Sequence, residues 1–517
     1  MNNIFINRIA FGLFVFLNII VGIWVGKKVY TLKDYAIAKR KLGSGSLTMS
    51  VLATLISANS FLTIHRVYIR GIGALLPILA IFVSIFVLGR CFFPYLVHFK
   101  GCYTIGDIMG RLYGSTGRFL TFLTGAIVSI LAITTELIAM KYVSCFLAIN
   151  PTYLIVMTGL IATAYSFLGG VRSVAITDVM QFALIVVAIV LVTNIALFKG
   201  GYLKKVFRQV YCEYPEHIMF WQHSFFNYVI FSSFFHFFST ILVTPPIVQR
   251  ALMAKSKRQV RDVFTTSSLF FLFFYGLVLI IGFIVLVNFN QCGAEVDTSN
   301  ILLYIANFLL DSNPFLEGLF VLAFIAAVLS TLDSYLSSLI VSLIRDMINP
   351  FYHQKKRNVY AINNTRVIGV IIGCVCTFLA YLFHYYPPFI IMIYALAILS
   401  SLALPFIVGV LGMKTSEKIF LVYMGVFLGS FMMIITFVCQ TGFSVFPHWI
   451  FPPPGRFHFM LATSAWLFAS LTAGCMFFAL HYREHGKLAW VSFSKKMKKE
   501  TLSLSLQKQD VNKVQNI

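Results

Sequence analysis

A chain of 517 residues that is 59% hydrophobic, with charge at only 11% of its positions, carries more apolar surface than a soluble core can use, so it is a polytopic membrane protein. Its 40 Lys and Arg against 17 Asp and Glu give a formal charge of +23. Those bases fall mostly in short loops between apolar spans, and no basic stripe interleaved with stacking aromatics is present, which excludes nucleic-acid binding.

In chain order the apolar spans lie near residues 4–26, 47–70, 72–97, 119–149, 151–168, 173–198, 220–244, 266–289, 317–343, 367–386, 388–411, 417–439 and 458–481, about thirteen helices. The first is too long and too poorly flanked for a cleaved signal and is kept as a helix. Lys27, Lys28, Lys33, Lys39, Arg40 and Lys41 follow it. Arg250, Lys255, Lys257, Arg258 and Arg261 follow the seventh span, and Lys355, Lys356, Arg357 and Arg366 the ninth. With an odd helix count these loops and the basic tail share one side, the cytoplasm, and the N-terminus lies outside. Lys199, Lys204, Lys205 and Arg208 oppose that majority, softened by Glu213 and Glu216. The transmembrane unit is expected over residues 1–482, with 483–517 a polar basic cytoplasmic tail.

The second span, Leu47–Arg70, holds Ser57-Ala58-Asn59-Ser60 at mid-membrane. Two readings stand. The cluster either caps an interrupted helix, freeing carbonyl oxygens for a cation, or is the polar packing face of a continuous one. A hard cation such as sodium takes about five oxygens, and a regular helix has its carbonyls occupied. His65, Arg66 and Arg70 lie in the outer half of this span. Snorkelling suits Arg70, whereas His65 and Arg66 suit a positive vestibule for an anionic or zwitterionic solute, with Glu136 of the fourth span as a partner for one base.

The ninth span, within Leu319–Met347, is unusual for polarity in the wrong place. Ala327, Ser330, Thr331, Ser334, Ser337, Ser338 and Ser342 recur at three- and four-residue spacing and share a face, with Asp333 mid-span. Serines alone fit close helix packing. A carboxylate beside them makes a site the better reading.

The nine cysteines show no metal-ligand spacing and read as packing residues; Cys212 and Cys292, both assigned to outer loops, leave a disulfide open but not favoured. His65, His223, His236 and His384 form no catalytic or zinc pattern, so no enzyme is expected.

Four stretches, in order, are specific together: GIWVGKK with TLKDYAIAKRKLG (Gly22–Gly43), SFLGGVRSVAITDVMQ (Ser166–Gln181), PIVQRALMAKS (Pro246–Ser256) and AAVLSTLDSYLSS (Ala326–Ser338). From about Val21 to Leu411 the chain resembles the sodium/solute symporter family, whose members carry proline, sugars, carboxylates, vitamins and iodide. The resemblance implies an all-α, five-plus-five inverted-repeat core over roughly 46–412, with accessory helices 4–26, 417–439 and 458–481. It implies a sodium site made by the carbonyls of Ala53, Ile56 and Ala327 and the hydroxyls of Ser330 and Thr331. Asp178 is implied on the ion's exit path, with a helix-start anchor as its alternative, and Asp333 and Glu136 join it as coupling candidates. The solute would lie beside the ion near the bilayer midplane, touched by Asn59 and Ser60 and lined by Phe61, His65, Phe234, Phe235 and His236. Leu55, Thr244 and Pro245 depart from the family pattern, which is polar at those places.

The expectation is therefore an inner-membrane symporter working by alternating access. Sodium, its coupling ion and only cofactor, would drive a small organic solute such as proline or a carboxylate inward; the bilayer is its other partner, and oligomeric state stays open. A proton-coupled carrier titrating at Asp333 or Glu136 is the nearest rival. A solute sensor is another, for which residues 483–517 are too few to fold as a kinase.

Overall fold

In a computed structural model, residues 2–26, 32–218, 226–289, 302–306, 313–348, 360–385, 388–413, 416–441 and 454–485 are described, and they form helices without a strand. Lys27, Lys28, His223, Cys292, Lys355, Lys356, Arg357 and the tail beyond residue 485 fall outside them, so a Cys212–Cys292 pair and the bases of the ninth-span loop at 355–357 and of the tail lie outside the described residues. Every apolar span read from the sequence falls on a helix, as hydrocarbon requires of a backbone that must bond to itself. Among the described residues six helices are long and apolar enough to cross a bilayer, and Ser44–Leu55 is a shorter apolar one that ends at a break in its span.

The interruptions are where the chain departs from thirteen plain rods. At the first, the Ser44–Leu55 helix ends on Ile56 (φ −92°, ψ 93°) and the Ala58–Arg70 helix begins after an extended Ser57. Ser57 Oγ accepts from the Asn59 N–H at 3.2 Å, while Ser60 Oγ accepts from the Ser57 N–H at 3.2 Å, a reciprocal cap. The polar cluster in mid-membrane is thus a helix start, and the interrupted reading of the second span holds. At the second, the Phe226–Val243 helix stops at Thr244 (φ −61°, ψ 119°), and Pro245-Pro246 open the Pro245–Met253 helix, prolines being unable to continue the first but suited to starting the next.

A third break, at Gly170 (φ +58°), divides what is otherwise one stretch from Pro151 to Gly200. A Cβ there would run into the ring of Tyr35, so both conformation and space require glycine. Gly170→Ala is expected to destabilise the protein by about 1–3 kcal/mol, seen as a lower melting temperature in detergent; an unchanged melting curve would contradict the close approach.

Pro314–Ser342 is the axis of the bundle. Its membrane-crossing window is 78% buried, against 28% for the first helix, which lies at the rim. The helices Pro151–Gly200, Ile105–Ala139, Asn2–Gly26 and Ser44–Leu55 all pack on it. Small residues at Ala323, Ala326, Ala327, Ser330, Ser334 and Ser337 let those backbones approach.

Two basic segments read as loops turn out to be packed. Lys204, Lys205 and Arg208 belong to the amphipathic helix Leu203–Glu213, which buries Val206 and Val210 and packs on Lys257–Phe289. Arg250, counted among the cytoplasmic bases, is only 1% exposed inside the Pro245–Met253 helix.

Candidate ion and solute site

Breaking the helix at Ile56 takes backbone carbonyls out of the hydrogen-bond ladder. The Ser57 N–H that would bond the Ala53 carbonyl in a continuous helix points to Ser60 Oγ instead. The Asn59 N–H goes to Ser57 Oγ, and the Ser60 N–H to the Ser57 carbonyl at 2.9 Å, so the amides that would cap Ile56 are engaged elsewhere. Ser330 Oγ meets the freed Ala53 carbonyl at 2.9 Å and lies 3.1 Å from the Ala327 carbonyl. Next to it in sequence, Thr331 Oγ1 is buried with no hydrogen-bond partner. A buried hydroxyl left unmade costs about 1–3 kcal/mol, so such an orphan marks a place where something else is meant to bind. Ala53, Ile56, Ala327 and Ser330 are all fully buried. The donors are all oxygen, carbonyl or hydroxyl, a set that suits a hard monovalent cation rather than zinc or copper.

One turn further along the same helix lies a second polar cluster. Arg250 and Asp178 have fully buried side chains, with Arg250 Nη2 3.5 Å from Asp178 Oδ2. Arg250 also donates to Ser50 Oγ at 2.9 Å through Nε and to Ser334 Oγ at 2.9 Å through Nη2. Ser50 in turn donates to Asp178, and Thr54 shares a 2.9 Å bond with Ser334. Gln249, beside the arginine, donates to the Ala36 carbonyl at 2.9 Å. Four separate segments, the two broken helices, the Gly170-kinked helix and the axial helix, are therefore tied by one guanidinium. Asp178 Oδ1 is left buried without a partner. Sequence reading found Asp178 but missed Arg250, because a base just after an apolar span scores as a loop residue. The available signal was its place in PIVQRALM, where apolar neighbours on both sides leave no loop.

The remaining candidates divide. Glu136 Oε2 accepts from the Ala58 N–H at 3.1 Å, so its carboxylate occupies the positive start of the outer half-helix. Ser60 Oγ bonds the Tyr275 hydroxyl at 2.8 Å, and Arg66 donates to Asn59 Oδ1 at 3.0 Å. These groups gather around the first break. His65 is half-buried on the same helix, and Asp333 is fully buried on the axial helix beside Ser334. Phe61 is enclosed by Phe274, Phe320 and Phe324 at 5.7–6.2 Å between ring centres, an aromatic core contact. His236 is fully buried and packs on Trp466 and Phe237, with Phe234 and Phe235 meeting edge to face nearby in sequence. Both ring nitrogens of His236 are buried without a hydrogen-bond partner.

An all-helical, multi-pass membrane protein with two broken helices meeting an axial hydroxyl-bearing one is what the fold and site define. The model of the sodium:solute symporter family matches residues 10–418, and the chain belongs to that family, one of transporters and not of enzymes. It is 29% identical over 209 residues to the sodium/sialic acid symporter NanT of Aliivibrio fischeri, 38% of this chain and 39% of that protein. It is 22% identical over 365 residues to sodium-coupled monocarboxylate transporter 1 of Xenopus laevis, 66% of this chain and 57% of the relative. To the sodium/glucose cotransporter of Vibrio parahaemolyticus it is 29% identical over 208 residues, 38% of each. The chain thus matches between 38% and 57% of these relatives' own lengths. Its fold is similar to that of a Na+-coupled sialic acid symporter solved in a substrate-bound outward-open state, with a TM-score of 0.74 at 17% identity, covering 91% of this chain and 98% of that one.

Proposed function

We propose that the protein is a sodium-coupled symporter that carries a small organic solute inward across the cell's inner (plasma) membrane, with its N-terminus outside and its C-terminus in the cytoplasm. The observation that carries this reading is the meeting of Ser330 Oγ with the freed Ala53 carbonyl, beside the orphaned Thr331 hydroxyl. Sodium would sit among the Ala53, Ile56 and Ala327 carbonyls and the Ser330 and Thr331 hydroxyls. In this orientation the axial helix runs inward from Ser330 to Ser334, so the Arg250–Asp178 cluster closes the cytoplasmic end beneath the ion. Inward release requires that this cluster part, and the spare Asp178 oxygen would receive the ion on its way out. The 5+5 repeat, with a broken helix opening each half, supplies the two elements that rock between states. Coupling is linkage: ion and solute each favour the conformation that the other needs. A membrane potential of roughly 100 mV adds about 2.3 kcal/mol per translocated charge.

The solute class follows from the relatives more than from the pocket. Sialic acid, a monocarboxylate and glucose are the named cargoes of the relatives, so an oxygen-rich sugar or carboxylate replaces proline as the favoured substrate. Arg66, Asn59 and Ser60, gathered at the first break, are the groups that would meet it, and Glu136 would orient the half-helix on which they stand. Reconstituted protein is expected to accumulate labelled sialic acid, lactate or glucose several-fold above equilibrium when an inward sodium gradient is imposed, and not with choline at the same pH. Accumulation that follows a proton gradient in choline would transfer the coupling to Glu136 or Asp333 and refute the sodium reading.

A further inference from the structure

At the C-terminal end of the axial helix, beyond Ser334, lies a cavity that the mechanism above does not use. It is small and is lined by Gly106, Thr121 and Ser129 of the Ile105–Ala139 helix, by Pro245 at the second break, and by Ser342 and Asp346. Asp346 stands on the π-helical turn Leu343–Ile348 that ends the axial helix, a local irregularity common at functional positions. Its Oδ1 accepts from Thr104 Oγ1 at 2.8 Å, whereas its Oδ2 is buried and has no partner. Across the cavity Thr121 Oγ1 is also buried without a partner. The two residues are 5% and 1% exposed.

The neighbouring charges do not account for these orphans. Asp107 takes Arg345 Nε at 2.9 and 3.1 Å, the Tyr103 N–H at 2.9 Å, and Arg118 at 3.9 Å. Arg345 spends its remaining contact on the Gly101 carbonyl at 3.2 Å. Both arginines are thus turned to Asp107, and neither hydrogen-bonds Asp346 Oδ2. Gly106 contributes by having no side chain, since a Cβ there would collide with the Asp346 carboxylate. One carboxylate oxygen, one bare hydroxyl and two lining serines, Ser129 and Ser342, make an all-oxygen lining that holds one carboxylate, with Asp107, Arg118 and Arg345 acting on it from outside. That set matches a hard monovalent cation better than calcium or magnesium, which gather more carboxylates or water.

We infer that Asp346 Oδ2 and Thr121 Oγ1 form a second monovalent-cation site, at the inner end of the bundle and separate from the oxygens at Ser330 and Thr331. It rests on the symport reading only in taking sodium as the ion. Equilibrium binding of 22Na+ to the purified full-length chain tests it without any need for the solute. The unaltered protein should bind two sodium ions per chain. Asp346→Asn and the near-isosteric Thr121→Val should each bind one, and Gly106→Ala, which keeps both oxygens but fills the space beside Oδ2, should bind one as well. Melting in choline shows that the variants are folded; should Asp346→Asn fail that check, Thr121→Val decides alone. Retention of the full sodium count by a folded Asp346→Asn or Thr121→Val protein overturns the inference. Ser330→Ala/Thr331→Ala serves as the separate arm: if that protein keeps both ions while Asp346→Asn loses one, the first site is wrong and the inner one stands.

Discussion

Removing the hydroxyls of Ser330 and Thr331 together, by alanine at both positions, is expected to raise the sodium concentration for half-maximal uptake by about 100-fold or to abolish sodium stimulation. The reasoning starts from the geometry. Ser330 Oγ is already within 2.9 Å of the Ala53 carbonyl, and Thr331 Oγ1 is buried without a partner, so both oxygens stand at the break and only the Ser330 hydroxyl makes a bond of the fold. Each interaction of a hydroxyl with a full charge is worth about 1.5–3 kcal/mol, and each 1.4 kcal/mol is about tenfold in affinity, so two lost ligands of about five multiply to that range. Melting in choline should fall only by the loss of the Ser330 bond to the Ala53 carbonyl, about 1–3 kcal/mol, because the orphaned threonine hydroxyl loses nothing. Uptake in proteoliposomes that keeps its sodium dependence in the double variant would remove the ion from this position.

The second large effect concerns the buried guanidinium. Arg250→Met is expected to destabilise the protein by about 3–5 kcal/mol, because it strands the Asp178 carboxylate with no compensating charge. It also strips the Ser50 and Ser334 hydroxyls of their shared donor. The companion variant, Arg250→Met with Asp178→Leu, should recover most of the melting temperature, since an apolar pair in place of a buried ion pair is often neutral or stabilising. Transport should not recover with it. A contact that must open and reclose in every cycle works through polar groups that water can solvate when they part, and an apolar plug lacks that alternative. If the single variant melts like the unaltered protein, the pair is not buried as described; if the double variant transports, Arg250 and Asp178 do not form the inner closure.

How much of this was legible beforehand differs from residue to residue. Ser330, Thr331 and their small neighbours stood out because a helix has a fixed 3.6-residue period, so hydroxyls at three- and four-residue spacing must share a face wherever that helix lies. The Ser57–Ser60 cluster allowed two outcomes, since the same hydroxyls cap a broken helix or pad a whole one. Arg250 is legible only through its apolar neighbours on both sides in PIVQRALM, and Asp346 not at all. A base or acid near the end of an apolar stretch looks the same whether it snorkels to the interface or turns into the bundle. Phe61 and His236 can be read from position alone, and the structure gives Phe61 an aromatic shell and sets His236 against Trp466 with both ring nitrogens unpartnered.

What the amino-acid order determined alone is what local rules govern: apolar lengths sufficient to cross hydrocarbon, helices as the form such lengths must take, and the side of each helix on which polarity collects. Only the tertiary structure decided which polar faces meet. It set the Ala53 carbonyl opposite Ser330, turned Arg250 inward onto Asp178, and left Asp346 and Thr121 facing one cavity. The reason is that each of these contacts joins residues between 72 and 277 positions apart, across separate helices, and their pairing follows from how whole helices pack rather than from any property of the segments themselves.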